Sequence, residues 1–244
     1  QGIFTRSLDQ ALLNHRIDLA VHSMKDVPVQ LPKGIMEAAV LERDSPYDIL
    51  VLREETGDSF AAEHPPARIA TSSLRRKSQW LHRFPEDRIE PIRGNVNTRL
   101  KKLSASNWQG AVFAEAGLER LGLRPANAVE RSGRLPLPAQ GALLVVCRSN
   151  DEELPGICEK LNDRLTAFSA RIESDFLSGL LGGCSTPVGA LAEIENEEVW
   201  FRGNLTSTDG KKQVSIEKNV SVELAASLGS SAAHEIRENG GREI

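Results

Sequence analysis

The first half of the chain alternates short apolar runs with stretches whose apolar positions recur every three or four residues. Phe4, Leu8, Ala11 and Leu12 sit at helical spacing, and the apolar run Ile17 to Val21 reads as a strand that leads into the polar string His22-Ser23-Met24-Lys25-Asp26. The order strand, turn, helix then repeats. Ala67 to Ala70 is strand-like, Thr71-Ser72-Ser73 is a turn, and Leu74 to Phe84 is helical. Ile89 to Ile92, the turn Arg93-Gly94-Asn95 and a helix through Val96, Leu100 and Leu103 form the next unit, and the strand Ala111 to Ala114 leads into the region of Leu118 to Leu121. This alternation predicts an α/β fold with a parallel sheet core.

The pattern changes near Arg131 to Pro138, where Gly133, Pro136 and Pro138 mark a crossing between domains before the buried run Ala142 to Cys147. Leu165, Phe168, Ile172 and Phe176 form the apolar stripe of a helix that ends at Gly182-Gly183, residues able to take a left-handed C-terminal cap, so Cys184 follows a helix end. Val188 to Ile194, Val199 to Leu205 and Val214 to Val220 read as three antiparallel strands, the last two joined by an Asp209-Gly210 hairpin. A helix from about Val222 to Glu238 closes the chain, and the whole piece predicts a separate, small α+β domain.

With 244 residues, 40% of them hydrophobic and 26% charged, the chain can build one large or two to three small cores. No apolar run is long enough to cross a bilayer, and no basic region followed by an apolar segment stands at the start, so a soluble, non-secreted protein without membrane contact is expected. Cys147, Cys158 and Cys184 are odd in number and lack paired metal-ligand spacing. They predict neither a disulfide framework nor a metal site, and fit reduced thiols in the cytoplasm. A net charge of −4, with one Tyr and three Trp, argues against a nucleic-acid partner and toward a small anion met by a local basic patch.

The arginines indicate where that patch lies. Ser72 or Ser73 can cap the helix that follows, yet Arg75 and Arg76 occupy its first turn, where the helix dipole already presents positive charge. The conflict recurs in the next unit, where Asn95 or Asn97 can cap, Arg93 ends the strand and Arg99 lies in the first turn. One such site is explained as easily by surface arginines paired with acids elsewhere; two consecutive ones, at strand ends where open α/β sheets bind ligands, favour an anion between them. Lys25 and Asp26 also follow a strand and should point into the same crevice, where a carboxylate among cations can stabilise a cationic intermediate or accept a proton. His22 reads as a structural histidine. Cys184 follows a helix C-terminus, which does not lower a thiol pKa, so a permanent covalent anchor fits it better than an activated nucleophile.

Six segments in order resemble the porphobilinogen deaminase (hydroxymethylbilane synthase) family: VHSMKDVP at 21 to 28, TSSLRRKSQ at 71 to 79, RGNVNTRL at 93 to 100, AEAGLERLGL at 114 to 123, QGAL at 140 to 143 and GGCSTPVGA at 182 to 190. The resemblance implies a cytoplasmic, monomeric transferase of tetrapyrrole (heme) biosynthesis. It would condense four porphobilinogens head to tail on a dipyrromethane cofactor with release of ammonia, then free hydroxymethylbilane by hydrolysis. It also implies that the cofactor is a thioether of Cys184, that Asp26 is catalytic, and that Ser23, Lys25, Thr71, Ser73, Arg75, Arg76 and Arg99 hold the cofactor. Arg93, Arg99, Arg120, Gln140 and Gly141 would meet the substrate. The implied fold is two α/β domains of the type II periplasmic-binding-protein kind flanking a cleft, residues 1–44 with 141–160 and residues 45–140, plus a cofactor-anchoring α+β domain over 161–244.

The chain departs from the family at Gln1, where lysine is common, at Phe113 for leucine, at Ala139 for the glycine before QGAL, and at Ser174-Asp175 for Arg-Ala. The family's opening strand and helix would lie before Gln1, so the resemblance implies an N-terminally incomplete chain with reduced activity and stability. Two rival functions are a noncatalytic anionic-solute-binding module, which shares the two-lobed fold, and a deaminase homologue inactive through truncation.

Overall fold

The computed structural model describes residues 5–56, 66–123, 125–129, 133–180 and 187–244. Helix α1 (Arg6–Leu13) buries Leu12 against the strand β1 (Leu19–Ser23), which starts two residues later than the apolar run suggests. His22 and Ser23 therefore belong to the strand, and a single 3-10 turn, Met24–Asp26, follows it. Strands β2 (Ile35–Val40) and β3 (Asp48–Leu52) come next, neither singled out by the pattern. The second unit continues as β4 (Arg68–Ala70), α2 (Leu74–Arg83), β5 (Arg88–Glu90), α3 (Val96–Ser104), β6 (Gly110–Ala114), α4 (Glu115–Glu119) and β7 (Ala128–Val129). The chain then passes through β8 (Leu143–Arg148) and α5 (Leu154–Cys158) into the long helix α6 (Arg164–Leu180). Strands β9 (Val188–Glu195), β10 (Glu198–Thr206) and β11 (Gln213–Ser221) and helix α7 (Leu228–Glu238) complete it.

Among the described residues three sheets form, ordered β1-β8-β2, β5-β4-β6-β3-β7 and β11-β10-β9. The expectation of a parallel core holds only for β5-β4-β6. Strand β8 returns from the second unit and runs antiparallel to both β1 and β2, and β3 runs antiparallel to β6 and β7. Apolar periodicity reports that a segment is a strand but not the direction in which it enters a sheet, so this correction could come only from tertiary pairing. Strand β3 is buried along its whole length, with Ile49 and Val51 in one apolar cluster and Leu50 and Leu52 in another, because helices cover both faces of a central strand.

In the third unit α6 and α7 pack on one face of the antiparallel sheet through Ile172, Phe176, Phe201, Ala232 and Ile236. Leu165, expected in the buried stripe, is exposed, since it lies in the first turn before α6 meets that sheet. The closing helix is also shorter than expected: Val222–Ser227 is a 3-10 segment and only Leu228–Glu238 is α-helical. Asp209-Gly210 sits within the β10-β11 connection, where Gly210 adopts φ +77°. The end of α6 at Gly182-Gly183 and Cys184 lie outside the described residues. Among the described residues, no helix is long and apolar enough to cross a membrane.

One buried carboxylate ties the three units together. Glu173 of α6 accepts both ends of the Arg43 guanidinium, at 2.7 and 3.0 Å, together with the backbone N–H of Ala139 at 2.7 Å and of Ala192 at 2.8 Å. Arg43 lies between β2 and β3, Ala139 precedes β8, and Ala192 is in β9, so each unit contributes a donor. Ala139 takes φ +59°, a left-handed conformation that costs an alanine about 1 kcal/mol and glycine almost nothing.

Two outcomes are expected in thermal and urea unfolding. Glu173→Gln should destabilise the chain by about 3 kcal/mol, because it strands the buried Arg43 charge. Ala139→Gly should be neutral or stabilising, by up to about 1 kcal/mol.

Candidate active site

Thr71 and Ser73 follow the carboxyl end of β4, and the helix they introduce starts as the sequence suggests: the Ser73 hydroxyl accepts the N–H of Arg76 at 3.4 Å. Asn95 caps α3 in the same way, accepting the N–H of Thr98 at 2.9 Å. Ser72 joins the two strand ends, its hydroxyl donating to the Ile92 carbonyl at 2.8 Å and accepting the Ile92 N–H at 2.9 Å. The buried Thr71 hydroxyl accepts the N–H of Ser73 at 3.2 Å.

Because β3 runs antiparallel to β6, its first residue, Asp48, pairs with the last residue of β6, Ala114, at the edge of the sheet where α2 and α3 begin. Asp48 is buried there and accepts one guanidinium Nη2 from Arg75 and one from Arg76, each at 2.7 Å. The other ends of the two arginines donate to backbone carbonyls, Arg75 to Leu135 at 2.7 Å and Arg76 to Val112 at 3.2 Å. The anion between the arginines that the sequence calls for is, in part, the protein's own Asp48. Both Nε–H groups are buried and have no partner among the described residues.

The first unit meets this cluster at Gln140. Strand β1 ends with Ser23 opposite Leu143, so the turn Met24–Asp26 lies beside Gln140, Gly141 and Ala142, and the Met24 N–H donates to the Ala142 carbonyl at 3.0 Å. The buried Gln140 amide donates to Asp48 at 2.9 Å and to the Pro46 carbonyl at 2.7 Å, while its oxygen faces the Lys25 ammonium at 3.4 Å. Gly141 takes φ +95°, and a Cβ there would lie 2.4 Å from the Asp44 carbonyl oxygen, so only glycine fits. Arg120 is tied to Asp44 and to the Gly141 carbonyl at the same junction.

The remaining candidates lie further out. Arg99 folds back on the Gly94 carbonyl, with Nε at 2.7 Å, yet stays close enough to Arg76 to feel its charge. Arg93 is exposed, and its backbone carbonyl accepts from Lys102. Asp26 is exposed at the end of its turn, and Ser23 is half-buried. His22 is buried, and its Nε2 has no partner among the described residues.

The electrostatics follow from burial. Burial alone would raise the Asp48 pKa, but Arg75 and Arg76, with the hydrogen bonds from Arg76 and Gln140, outweigh it and hold the carboxyl far below the usual range. Burial depresses Lys25 from 10.5 to about 8, aided by Arg76 and opposed by Asp26 and Asp48. Arg134, stacked 4.5 Å over the Trp80 ring, is also depressed by burial, to about 9, with Asp48 opposing. Lys25 additionally faces a cavity of about 610 Å³ that Glu37, Phe168, Arg171 and Asp175 help to line.

Residues 1–155 match the family model described as porphobilinogen deaminase, dipyromethane cofactor binding domain, and residues 167–238 match the model of the porphobilinogen deaminase C-terminal domain. The chain belongs to the porphobilinogen deaminase family. It is 38% identical to the porphobilinogen deaminase of Nostoc sp. strain PCC 7120 over all of this chain and 76% of the relative. It is 47% identical to that of Rubrobacter xylanophilus over 86% of this chain and 68% of the relative, and 37% identical to that of Geotalea uraniireducens over all of this chain and 76% of the relative. Against this family background, the residues that sequence reasoning missed are Asp48, Arg43 and the buried Arg134. Only Asp48 carries a local signal, a lone charge opening the apolar run Ile49-Leu50-Val51-Leu52.

A lysine whose folded pKa lies near 8 against an unfolded value near 10.5 destabilises the fold wherever it must stay protonated. That penalty is complete below pH 8 and is relieved as pH climbs from 8 to 10.5, where the unfolded chain binds more protons than the folded one. Lys25→Met should therefore raise stability at pH 7, by about 2 kcal/mol, and the gain over wild type should shrink to nothing by pH 10.5 in melts run across that range.

Proposed function

We propose that this chain performs the porphobilinogen deaminase reaction, joining four porphobilinogens head to tail on a dipyrromethane primer held by Cys184. Ammonia leaves at each addition, and hydrolysis frees hydroxymethylbilane. One observation carries the reading: Lys25, Arg75, Arg76 and Arg134 gather around a single buried carboxylate, Asp48, and Arg99 lies close enough to Arg76 to feel its charge. Each pyrrole brings two carboxylates, so primer and growing chain together are polyanions, and a cation excess supplies the donors they need. The bound primer would provide the electron-rich pyrrole carbon to which each unit is joined.

In this reading Asp26, at the exposed end of its turn, accepts pyrrole N–H groups and stabilises the positive charge that develops as ammonia departs. Ser23, Lys25, Thr71, Ser73, Arg75, Arg76 and Arg99 hold the primer. Arg93, Arg99, Arg120, Gln140 and Gly141 receive substrate, with Arg93 the most available because its guanidinium has no described partner. Arg120 must exchange Asp44 for a ligand carboxylate. Cys147 and Cys158 are both buried, which supports Cys184 as the anchor. The division into domains 1–44 with 141–160, 45–140 and 161–244, a cytoplasmic location and a monomeric state belong to the same proposal; one sheet per unit supports the division.

Intact mass and turnover test it. The loaded chain should exceed its sequence mass by one dipyrromethane, Cys184→Ser should lose that increment, and Cys147→Ser and Cys158→Ser should keep it; an adduct persisting in Cys184→Ser removes the anchor. Asp26→Asn, supplied with preassembled primer, should retain the adduct and lose about 100-fold or more in porphobilinogen consumption. Arg93→Leu and Arg99→Leu should weaken binding or stall elongation, seen as an altered distribution of bound intermediates.

A further inference from the structure

Successive side chains on a helix point about 100° apart, so Arg75 and Arg76 would diverge and repel if left alone. Asp48 makes them converge, one carboxylate oxygen on each at 2.7 Å, and the Leu135 and Val112 carbonyls fix their far ends. The Asp48 oxygen that meets Arg76 also accepts from Gln140, whose own oxygen faces Lys25. A continuous polar path thus runs from the second sheet through the returning segment to the first.

We propose that Asp48 is a positioning residue for the reaction: its buried charge aligns Arg75 and Arg76 and, with Gln140 between them, keeps Lys25 a cation at the junction of the two α/β units. The inference rests on the function proposed above but acts through residues that can be measured without turnover. The charged groups that face Lys25 are Asp26 on its own turn and Asp48, Arg75 and Arg76 from the second unit. Glu37, Arg164, Arg171 and Asp175 line the adjoining cavity. Asp48→Asn keeps an oxygen for Gln140 but leaves Arg75 and Arg76 uncompensated beside Lys25, and both then favour the neutral amine.

The experiment is competitive acetylation of the whole chain across pH 6 to about 11, with Lys25 read by peptide mass spectrometry. Wild-type Lys25 should titrate near 8. In Asp48→Asn the midpoint should fall by about one pH unit, and the KM for porphobilinogen should rise about tenfold with the alkaline limb displaced in the same direction. Glu173→Gln, which removes another buried carboxylate away from the cluster, should lower the melting temperature and leave the Lys25 midpoint in place. An unchanged midpoint in folded Asp48→Asn, or an equal shift in Glu173→Gln, overturns the proposal. Should Asp48→Asn not fold, Arg76→Met serves, because Asp48 then faces one arginine fewer and the Lys25 midpoint should rise; a fixed or lower midpoint overturns it. Failure of the functional reading would look different, with no adduct on Cys184 and no porphobilinogen consumed in wild type while the acetylation shift persists.

Discussion

A carboxylate taken out of water is tolerated only when enough N–H donors replace its hydration, and Glu173 meets that demand with four, drawn from every unit of the molecule. Arg43, which supplies two of them, uses its Nε–H to hold the Gln140 carbonyl at 2.9 Å. Gln140 in turn holds Asp48, and Asp48 holds Arg75 and Arg76. The relative position of the sheets and the geometry of the cation cluster are therefore joined through one chain of hydrogen bonds.

The cluster itself works against stability. Arg75, Arg76 and Arg134 are buried, Lys25 is half-buried, and burial lowers the pKa of Arg75, Lys25 and Arg134 alike. A fold selected for stability alone would replace such groups with apolar side chains of similar volume. In the reading proposed above, a ligand that brings negative charge offsets this cost, as the carboxylates of a dipyrromethane would. Arg134 illustrates the compromise: the Trp80 face beneath its guanidinium offsets part of the desolvation, and Trp80 is oriented by its own hydrogen bond to Asp87 at 2.7 Å.

Departures from the family pattern have local physical readings. Ala139 carries the left-handed backbone that the usual glycine accepts without strain, and Glu173 holds its N–H in place. Phe113 is enclosed in the core beside β3, packed in one apolar cluster with Ile49 and Val51. Ser174 and Asp175 line the cavity beside Lys25 and so alter its charge lining.

What the sequence determined by itself is what depends on neighbours a few residues away. Ser73 and Asn95 cap their helices because the donors they satisfy lie three residues on, and the antiparallel pairing of β10 with β11 follows from the short Asp209-Gly210 connection between them. The arginines at two helix starts were legible as an anomaly for the same reason, since the dipole they oppose is local. The tertiary structure alone decided how that anomaly is resolved. Asp48 and Arg75 are 27 residues apart, Arg43 and Glu173 are 130 apart, and Lys25 and Gln140 are 115 apart. The direction of β3 and β8 likewise arises only when distant segments pair. Periodicity and capping are set by the geometry of one turn or one strand, whereas the partner of a buried charge is set by which segments the whole chain brings together.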